Sequence, residues 1–487
     1  MPYLAVFLAI ALPWLNPFSS GPSPAVLPWL FTLGCFAVFL WLAARVRLAE
    51  VAASAWLAAA LLSAVMGLLQ YFGATAMFGS WINSTGMGEA YANLRQRNQF
   101  ATLTNIGLAA LLWWVAQCAA VPSFTGGSAQ RTSRGGHVAA VAAAVLLAGG
   151  NAASSSRTGL VQLVFLMVLA LVWGGARRPA VWRVLRAAAL AYGLAILLLP
   201  LWSGLDPLSS GMLGRLQEGD PRCASRLTLW GNVLHLIAQK PWLGWGWGEL
   251  DYAHFITLYP GERFCEILDN AHNLPLHLAV ELGVPLALLV CGGGLWLVWR
   301  ARPWRETDAA RQLAWSVLAV ILLHSLLEYP LWYGPFQVAF GLSVWLLGRR
   351  SGRDWAISGF FRPPARVLSA WIAIVFIAAA GYAASDYHRI SQIYLSPAQR
   401  SAAYRENTLS KIQGSVLFKQ QVRFAELTTT PLTPANAARL HHLALALLHF
   451  SPEPRVIQKL IDSAELLGRD AEAQFYRVRF EAAFKAK

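Results

Sequence analysis

"VAASAWLAAALLSAVMGLLQY", residues 51–71, carries no charged side chain along its length, and its reading decides the fold. A helix crossing the roughly 30 Å hydrocarbon layer needs roughly 20 mostly apolar residues, and this run is long enough. Working outward, further apolar runs occur near 3–17, 25–43, 100–121, 138–150, 158–174, 187–202, 274–299, 312–327, 334–348 and 367–385. Hydrophobic residues make up 56% of the 487, charged ones 13%, and 22 are Trp; a water-soluble globule of that composition would expose large apolar patches. The pattern predicts an all-α polytopic membrane protein of about 11 transmembrane helices. The first run lacks a basic leader and an Ala-x-Ala cleavage site, so it is read as a retained span.

Lys and Arg in short connections stay on the cytoplasmic side, so their placement orients the bundle. With the N-terminus inside, the inner connections hold seventeen arginines: Arg45 and Arg47; Arg131 and Arg134; Arg177, Arg178, Arg183 and Arg186; Arg300, Arg302, Arg305 and Arg311; Arg349, Arg350, Arg353, Arg362 and Arg366. Four carboxylates (Glu50, Glu306, Asp308 and Asp354) share those connections, which leaves +13 of the formal +15 as a topology signal. The high pI then lends no support to a nucleic-acid ligand, and none is expected.

An odd span count places the chain from about 386 onward outside, with the long loops 72–99 and 203–271. Two domains are expected: a transmembrane body over 1–385 that includes the outer loop 203–271, and a helical outer domain over 386–487. The tail shows helical periodicity in Leu440, Leu443, Leu447 and again in Val456, Leu460, Ile461, Ala464, Leu467, with "FSPEP" and "LLGRDAEAQ" as breaks. That pattern reads as an array of αα-hairpins, either a solvated cap or a docking surface for a protein partner. Cys35, Cys118 and Cys291 fall inside spans, whereas Cys223 and Cys265 share the outer loop, where an oxidising compartment would permit the disulfide expected between them.

Positive charge on the outer side needs a reason. Arg95 and Arg97 precede a span in "NLRQRNQFATL", and Arg157 sits in the very short connection "NAASSSRTGL". The planar guanidinium fork matches phosphate oxygens, so Arg157 is a candidate anion ligand; snorkelling to lipid head groups is the plainer reading. In the large loop, Arg226, Leu229, Trp230, Val233 and Leu234 recur at helical spacing and predict an interfacial helix with Trp and Leu toward lipid. "KPWLGWGWG" ends it, its glycines permitting tight turns and its tryptophans suiting an interfacial belt or a sugar platform. In "DNAHNLPLHLAVELG", Asn273 reads as a helix N-cap, leaving His272 at the mouth of the bundle, where an imidazole of pKa near ~6.5 can exchange protons. His277 and Glu281 lie four apart on that helix, and His324 and Glu328 four apart in "LLHSLLEYPLWYG", ahead of Tyr329 and Pro330.

Together these residues resemble the bacterial O-antigen ligases and their relatives, the O-linked protein oligosaccharyltransferases and O-antigen polymerases. His272-Asn273, nine residues and Gly283 look like the family's H-[NSQ]-x9-G element; the ligase form's second glycine and threonine are missing, since Val284, Pro285 and Leu286 follow. "SRTG" around Arg157 resembles the family's Ser-Arg turn, and "SRLTLW" with "PWLGWGWG" its Arg-x3-Trp and Pro-x2-Gly-x-Gly elements. "RQRNQFATL", "HSLLEYPLWY" and the helical tail look most like the protein-glycosylating branch.

The resemblance implies a glycosyltransferase in the bacterial inner membrane, with active site and C-terminus in the periplasm. It would move a preassembled glycan from undecaprenyl diphosphate to Ser or Thr hydroxyls of a secreted or pilin-like protein, with inversion and without metal or cofactor. Arg157 and Arg226, with Arg97, Gln99 and Asn273, would bind the diphosphate and glycan; His272 would act as general base, helped by Tyr329 and Glu328. A ligase or polymerase with a sugar acceptor is the nearest alternative. A transporter or a non-catalytic scaffold stands further off, because the polar groups gather at one surface rather than the midplane.

Overall fold

The computed structural model describes residues 1–17, 25–120, 134–217, 222–348 and 363–485. Arg131, Arg349, Arg350, Arg353, Arg362 and Asp354 of the topology signal lie outside the described residues. The described chain is all-α. In order, its helices are α1 (Pro2–Leu15), α2 (Val26–Leu42), α3 (Leu48–Tyr71), α4 (Arg97–Ala120), α5 (Arg134–Ala153), α6 (Arg157–Val172) and α7 (Pro179–Trp202). There follow α8 (Gly211–Gln217), α9 (Arg226–Gln239), α10 (Leu250–Ile256), α11 (Leu274–Leu282), α12 (Val284–Ala301), α13 (Ala309–Ser325) and α14 (Gly334–Gly348). The last are α15 (Pro363–Ser391), α16 (Thr408–Ile412), α17 (Lys419–Thr429), α18 (Ala437–Leu448), α19 (Pro454–Leu466) and α20 (Asp470–Phe480). Among the described residues seven helices are long and apolar enough to cross a bilayer, and α1, α6, α13 and α14 are shorter apolar helices. The chain is a multi-pass membrane protein.

Two compact units partition it, Met1–Glu218 with Val298–Ala380 and Gly219–Leu297 with Gly381–Lys487. In the first, α3 packs on α1, α4 and α5, and α4 on α6 and α13. Small residues allow this closeness, as expected where helices associate by packing rather than by leaving water: Gly107 of α4 rests on Ala60 of α3, and Gly150 of α5 on Ala64. Trp14, Trp56, Tyr71 and Phe100 fill the space between. The connection from α3 to α4 is organised by the buried Gln70. Its Nε2 donates to the carbonyls of Asn83 (2.7 Å) and Ala92 (2.9 Å), and its Oε1 accepts from Tyr91 N–H (3.0 Å) and Ala92 N–H (2.6 Å).

The second unit has its own core. Leu229, Val233 and Leu236 of α9 pack with Leu250, Phe264, Leu268 and Val280. This corrects the expected lipid-facing helix: the apolar stripe of α9 faces protein, while Leu227 and Leu234 are exposed. Cys223 and Cys265 form the expected disulfide, adjoined by a backbone bond from Cys265 N–H to the Cys223 carbonyl at 3.2 Å. In the tail, Leu440, Leu447, Val456, Leu460, Ile461 and Ala464 are buried, as their periodicity predicts, around Phe255 from α10.

The run 274–299 is not one helix but two, α11 and α12, divided at Gly283 with φ 89°. The cause is a backbone clasp. Trp245 N–H donates to the Val280 carbonyl (2.8 Å), Gly246 N–H to the Glu281 carbonyl (2.9 Å) and Val284 N–H to the Pro241 carbonyl (2.8 Å). The first two satisfy carbonyls that the end of α11 leaves unpaired, and the third satisfies the N–H that opens α12. Side chains are excluded on both faces, since a Cβ on Gly283 would collide with the Trp242 carbonyl and one on Gly244 with the Glu281 carbonyl. Gly283→Ala is therefore expected to lower stability by about 1–3 kcal/mol or more, read as a lower melting temperature in detergent. A melting temperature equal to wild type would show that the clasp is dispensable.

Candidate active site

In the first unit the site is built from helix N-termini. Ser156 caps α6, its Oγ accepting Gly159 N–H at 2.9 Å, which makes Arg157 the first residue of the helix, just after Ser155 at φ 52°. The same Oγ donates to Asn98 Oδ1 at 2.6 Å, and Asn98 Nδ2 donates to Glu328 Oε1 at 3.0 Å. Asn98 thus joins α4, the cap of α6 and the turn after α13. The Arg157 guanidinium donates to the Arg215 carbonyl at the end of α8. Arg97, the first residue of α4, pairs with Glu89. Gln99 hydrogen-bonds Tyr333, whose phenol also bonds Tyr329, and the two tyrosine rings stack at 6.0 Å.

A buried network lies beneath. Thr102 Oγ1 and His324 Nδ1 are 2.9 Å apart, and Gln162 Nε2 donates to Thr102 Oγ1 (2.9 Å) and to the Val320 carbonyl (2.7 Å). Asn105 Nδ2 donates to the Gly159 carbonyl at 3.0 Å. Sequence spacing put His324 and Glu328 on one helical face, but α13 ends at Ser325 and Glu328 lies in the following turn, its carboxylate directed to Asn98 while His324 binds Thr102.

In the second unit the residues around His272 are held by three bonds. Trp230 Nε1 donates to the Ala271 carbonyl (3.1 Å), His272 N–H donates to Asn270 Oδ1 (2.9 Å), and Asn273 Oδ1 accepts Leu276 N–H (3.0 Å) as the cap of α11. Between these ties His272 takes the left-handed φ of 49°, a conformation uncommon for a residue with a Cβ and found where surroundings enforce it. Arg226 is the first residue of α9, one turn before Trp230 and on the same face. Glu281 Oε1 accepts Gly248 N–H at 3.0 Å and its other oxygen lies 3.5 Å from His277 Nε2, so this pair anchors the glycine loop.

Carboxylates gather near His272. Burial raises the Asp269 carboxyl, a shift opposed by the neighbouring His272. Burial likewise pushes Asp251 up to about 7, opposed by the Tyr252 N–H and helped by Glu249 and Asp269. Asp269 did not stand out in sequence, although it lies three residues before His272. Asn98 and Ser156 were also missed as site residues, although both stand inside the quoted stretches. Among the described residues no group of His, Cys, Asp and Glu side chains could hold a metal ion.

Arg97, Gln99, Arg157, Glu328 and Tyr329 therefore belong to the first unit, and Arg226, His272 and Asn273 to the second. Fold and site define an all-α polytopic membrane protein with basic residues at helix starts and a conformationally fixed histidine. The family described as O-Antigen ligase matches residues 142–291, Virulence factor membrane-bound polymerase, C-terminal, matches 312–487, and Protein glycosylation ligase matches 90–115. The chain is 24% identical over 219 residues to the General O-oligosaccharyltransferase of Acinetobacter baylyi, covering 45% of this chain and 37% of the relative. It is 28% identical over 118 residues to the ComP-specific O-oligosaccharyltransferase of the same organism, covering 24% of this chain and 21% of that relative. Over these stretches the chain is similar to the O-antigen ligase family and to O-linked oligosaccharyltransferases, and it spans well under half the length of the curated relatives it matches.

Two outcomes follow from this geometry. Asn98→Ala removes the shared partner of Ser156 and Glu328 and is expected to cost about 1–3 kcal/mol, with Asn98→Asp no better because a second carboxylate would face Glu328. Wild-type melting temperatures in both would contradict the bridging role. For Asp251, a folded-state pKa of about 7 exceeds the ordinary 3.8, so the folded protein holds the proton more tightly; its stabilising contribution is complete below about pH 4 and lost as pH rises through about 7. Between about pH 5 and 8 the melting temperature should fall less steeply in Asp251→Asn than in wild type, and equal slopes would count against it.

Proposed function

We propose that the protein transfers a preassembled glycan from undecaprenyl diphosphate to Ser or Thr hydroxyls of an acceptor protein at the periplasmic face of the bacterial inner membrane. One observation carries the reading: Arg97, Arg157 and Arg226 each occupy the first residue of a helix. A cation there adds to the positive end of the helix dipole instead of opposing it, at a cost of about 0.3–1 kcal/mol each, and an anion reverses the sign of that interaction. A diphosphate is such an anion, and guanidinium groups match its oxygens. In this reading Arg157 and Arg226 are the principal ligands, with Arg97, beside Glu89, a weaker one.

The chemistry is an inverting displacement. The acceptor hydroxyl loses its proton to the His272 imidazole, its oxygen bonds to the anomeric carbon, and the bond from that carbon to the phosphate oxygen breaks, releasing undecaprenyl diphosphate. Arg157 and Arg226 stabilise the charge that grows on the leaving phosphate. Tyr329 and Glu328 position groups, Glu328 by holding Asn98 and thereby the cap beneath Arg157. The fixed backbone of His272 suits a general base, because a base must meet its proton at hydrogen-bond range. The match over 90–115 to a family named Protein glycosylation ligase supports a protein acceptor; the match over 312–487 to a family named as a polymerase keeps a sugar acceptor as the second reading.

With purified protein, a lipid-linked oligosaccharide and a pilin-like acceptor, His272→Ala and Arg157→Ala are each expected to lower transfer at least about 100-fold at normal expression. Arg157→Lys should recover little, since lysine lacks the bidentate fork. Unchanged transfer in both alanine variants would overturn the reading, and transfer to free glycan alone would favour the second one.

A further inference from the structure

The first unit contains an apolar cavity of about 340 Å³ between α2 and α14, lined by Trp29, Phe36, Phe39, Val338, Gly341 and Trp345 among others. A small polar pocket adjoins it, sharing Trp29, Thr32 and Gly334 and lined in addition by Gln99 and Tyr333. The groove runs along α14 from Gly334 to Trp345 and along α2 from Trp29 to Leu40, which at 1.5 Å per residue is about 16 Å, or about one leaflet of the hydrocarbon core. Its upper end carries the polar marks, where Trp29 Nε1 donates to Gln337 Oε1 at 3.2 Å beside Thr32. Its deep end is closed by aromatic contact between Phe39 and Trp345, with ring centroids 5.8 Å apart.

We infer that this groove holds the isoprenoid chain of the lipid-linked donor, an assignment that rests on the proposed glycan transfer. The occupant follows from continuity: the groove adjoins the small polar pocket that Gln99 and Tyr333 line, next to the polar cluster of Asn98, Glu328 and Tyr329, and extends one leaflet's length from there. A lipid whose head group lies in that cluster must send its chain down from the same place. Aromatic walls with a glycine gap at Gly341 suit a methyl-branched chain, whose branches need irregular relief. Burial of such a chain adds affinity that does not depend on the glycan.

Gly341 makes the test clean, because a Cβ there meets open space and no backbone strain is involved. Gly341→Phe should fill the groove without disturbing its walls; Gly193→Phe, at an equally open position on α7, controls for an added aromatic in a span. With full-length protein in nanodiscs, Gly341→Phe is expected to raise KM for an undecaprenyl-diphosphate-linked glycan about tenfold, equivalent to about 1.4 kcal/mol, with kcat unchanged and with KM unchanged for a dimethylallyl-linked donor, whose single isoprene unit stops short of Gly341. In parallel, p-benzoylphenylalanine in place of Val338 should crosslink to undecaprenyl diphosphate in preference to nanodisc phospholipid. Equal KM values for both donors in Gly341→Phe and wild type, or crosslinking to phospholipid alone, would overturn the assignment. Absence of transfer by wild type from either donor would sink glycan transfer itself, and the crosslink then decides the groove independently.

Discussion

In an apolar body, each polar group needs a partner close at hand, because no water stands ready to replace one that is lost. This requirement governs the first unit. Asn98, Thr102, Asn105, Gln162 and His324 would each be costly alone in hydrocarbon, yet each bonds a side chain or carbonyl on a neighbouring element across α4, α6 and α13. Such a network admits few alternative arrangements, so it fixes the register of the three helices. The start of α6 inherits that precision through Ser156, and Arg157 inherits it from Ser156. The arginine proposed to bind the donor is thus located by polar side chains packed beneath its helix start.

The second unit solves the same positioning problem with backbone. The spacing of His272 from Gly283 is the length of α11, and the glycines of "PWLGWGWG" lie against the end of that helix. The two sequence elements, about forty residues apart, are therefore two sides of one contact. Gly283 and Gly244 act as space for carbonyl groups and not as ligands. His272 stands at the other end of α11, where Asn273 caps the helix and Trp230 grips Ala271. The Arg-x3-Trp element finds its physical reason here too: the tryptophan secures the turn that carries the imidazole, and the arginine rides one helical turn away.

What the sequence disclosed depended on whether local pattern or distant partners set the outcome. Spans were legible because a long uncharged run has few other fates in a chain this apolar, and the tail helices because Leu440, Leu447, Val456 and Leu460 keep their period. The face of α9 was not legible, since an amphipathic stripe looks the same whether lipid or protein covers it. The break at Gly283 escaped notice because hydropathy averages over it. Asn98 was the hardest case: its role exists only once Ser156 and Glu328, 58 and 230 residues away, arrive beside it. Arg157 and His272 stood out by their placement in the chain, and the resemblance added the role of Arg226 and joined all three to one reaction.

The tail enters this picture through the loop. Phe255 of α10 is buried among tail leucines, Arg479 donates to the Ile256 carbonyl at 2.7 Å, and His449 stacks on Tyr252 at 3.9 Å while its Nδ1 lies 2.7 Å from Glu249 Oε2. Glu249 directly follows Gly248, whose N–H is held by Glu281 of α11. A continuous set of contacts therefore runs from the tail through α10 and the glycine loop to the helix that presents His272. Apolar burial supplies most of its strength, at about 25 cal/mol per Å² removed from water, and the polar contacts set its geometry. A solvated cap would need none of these ties at α10. The tail is better understood as part of the scaffold that fixes the loop, so that any surface it offers a protein partner is held in register with the histidine.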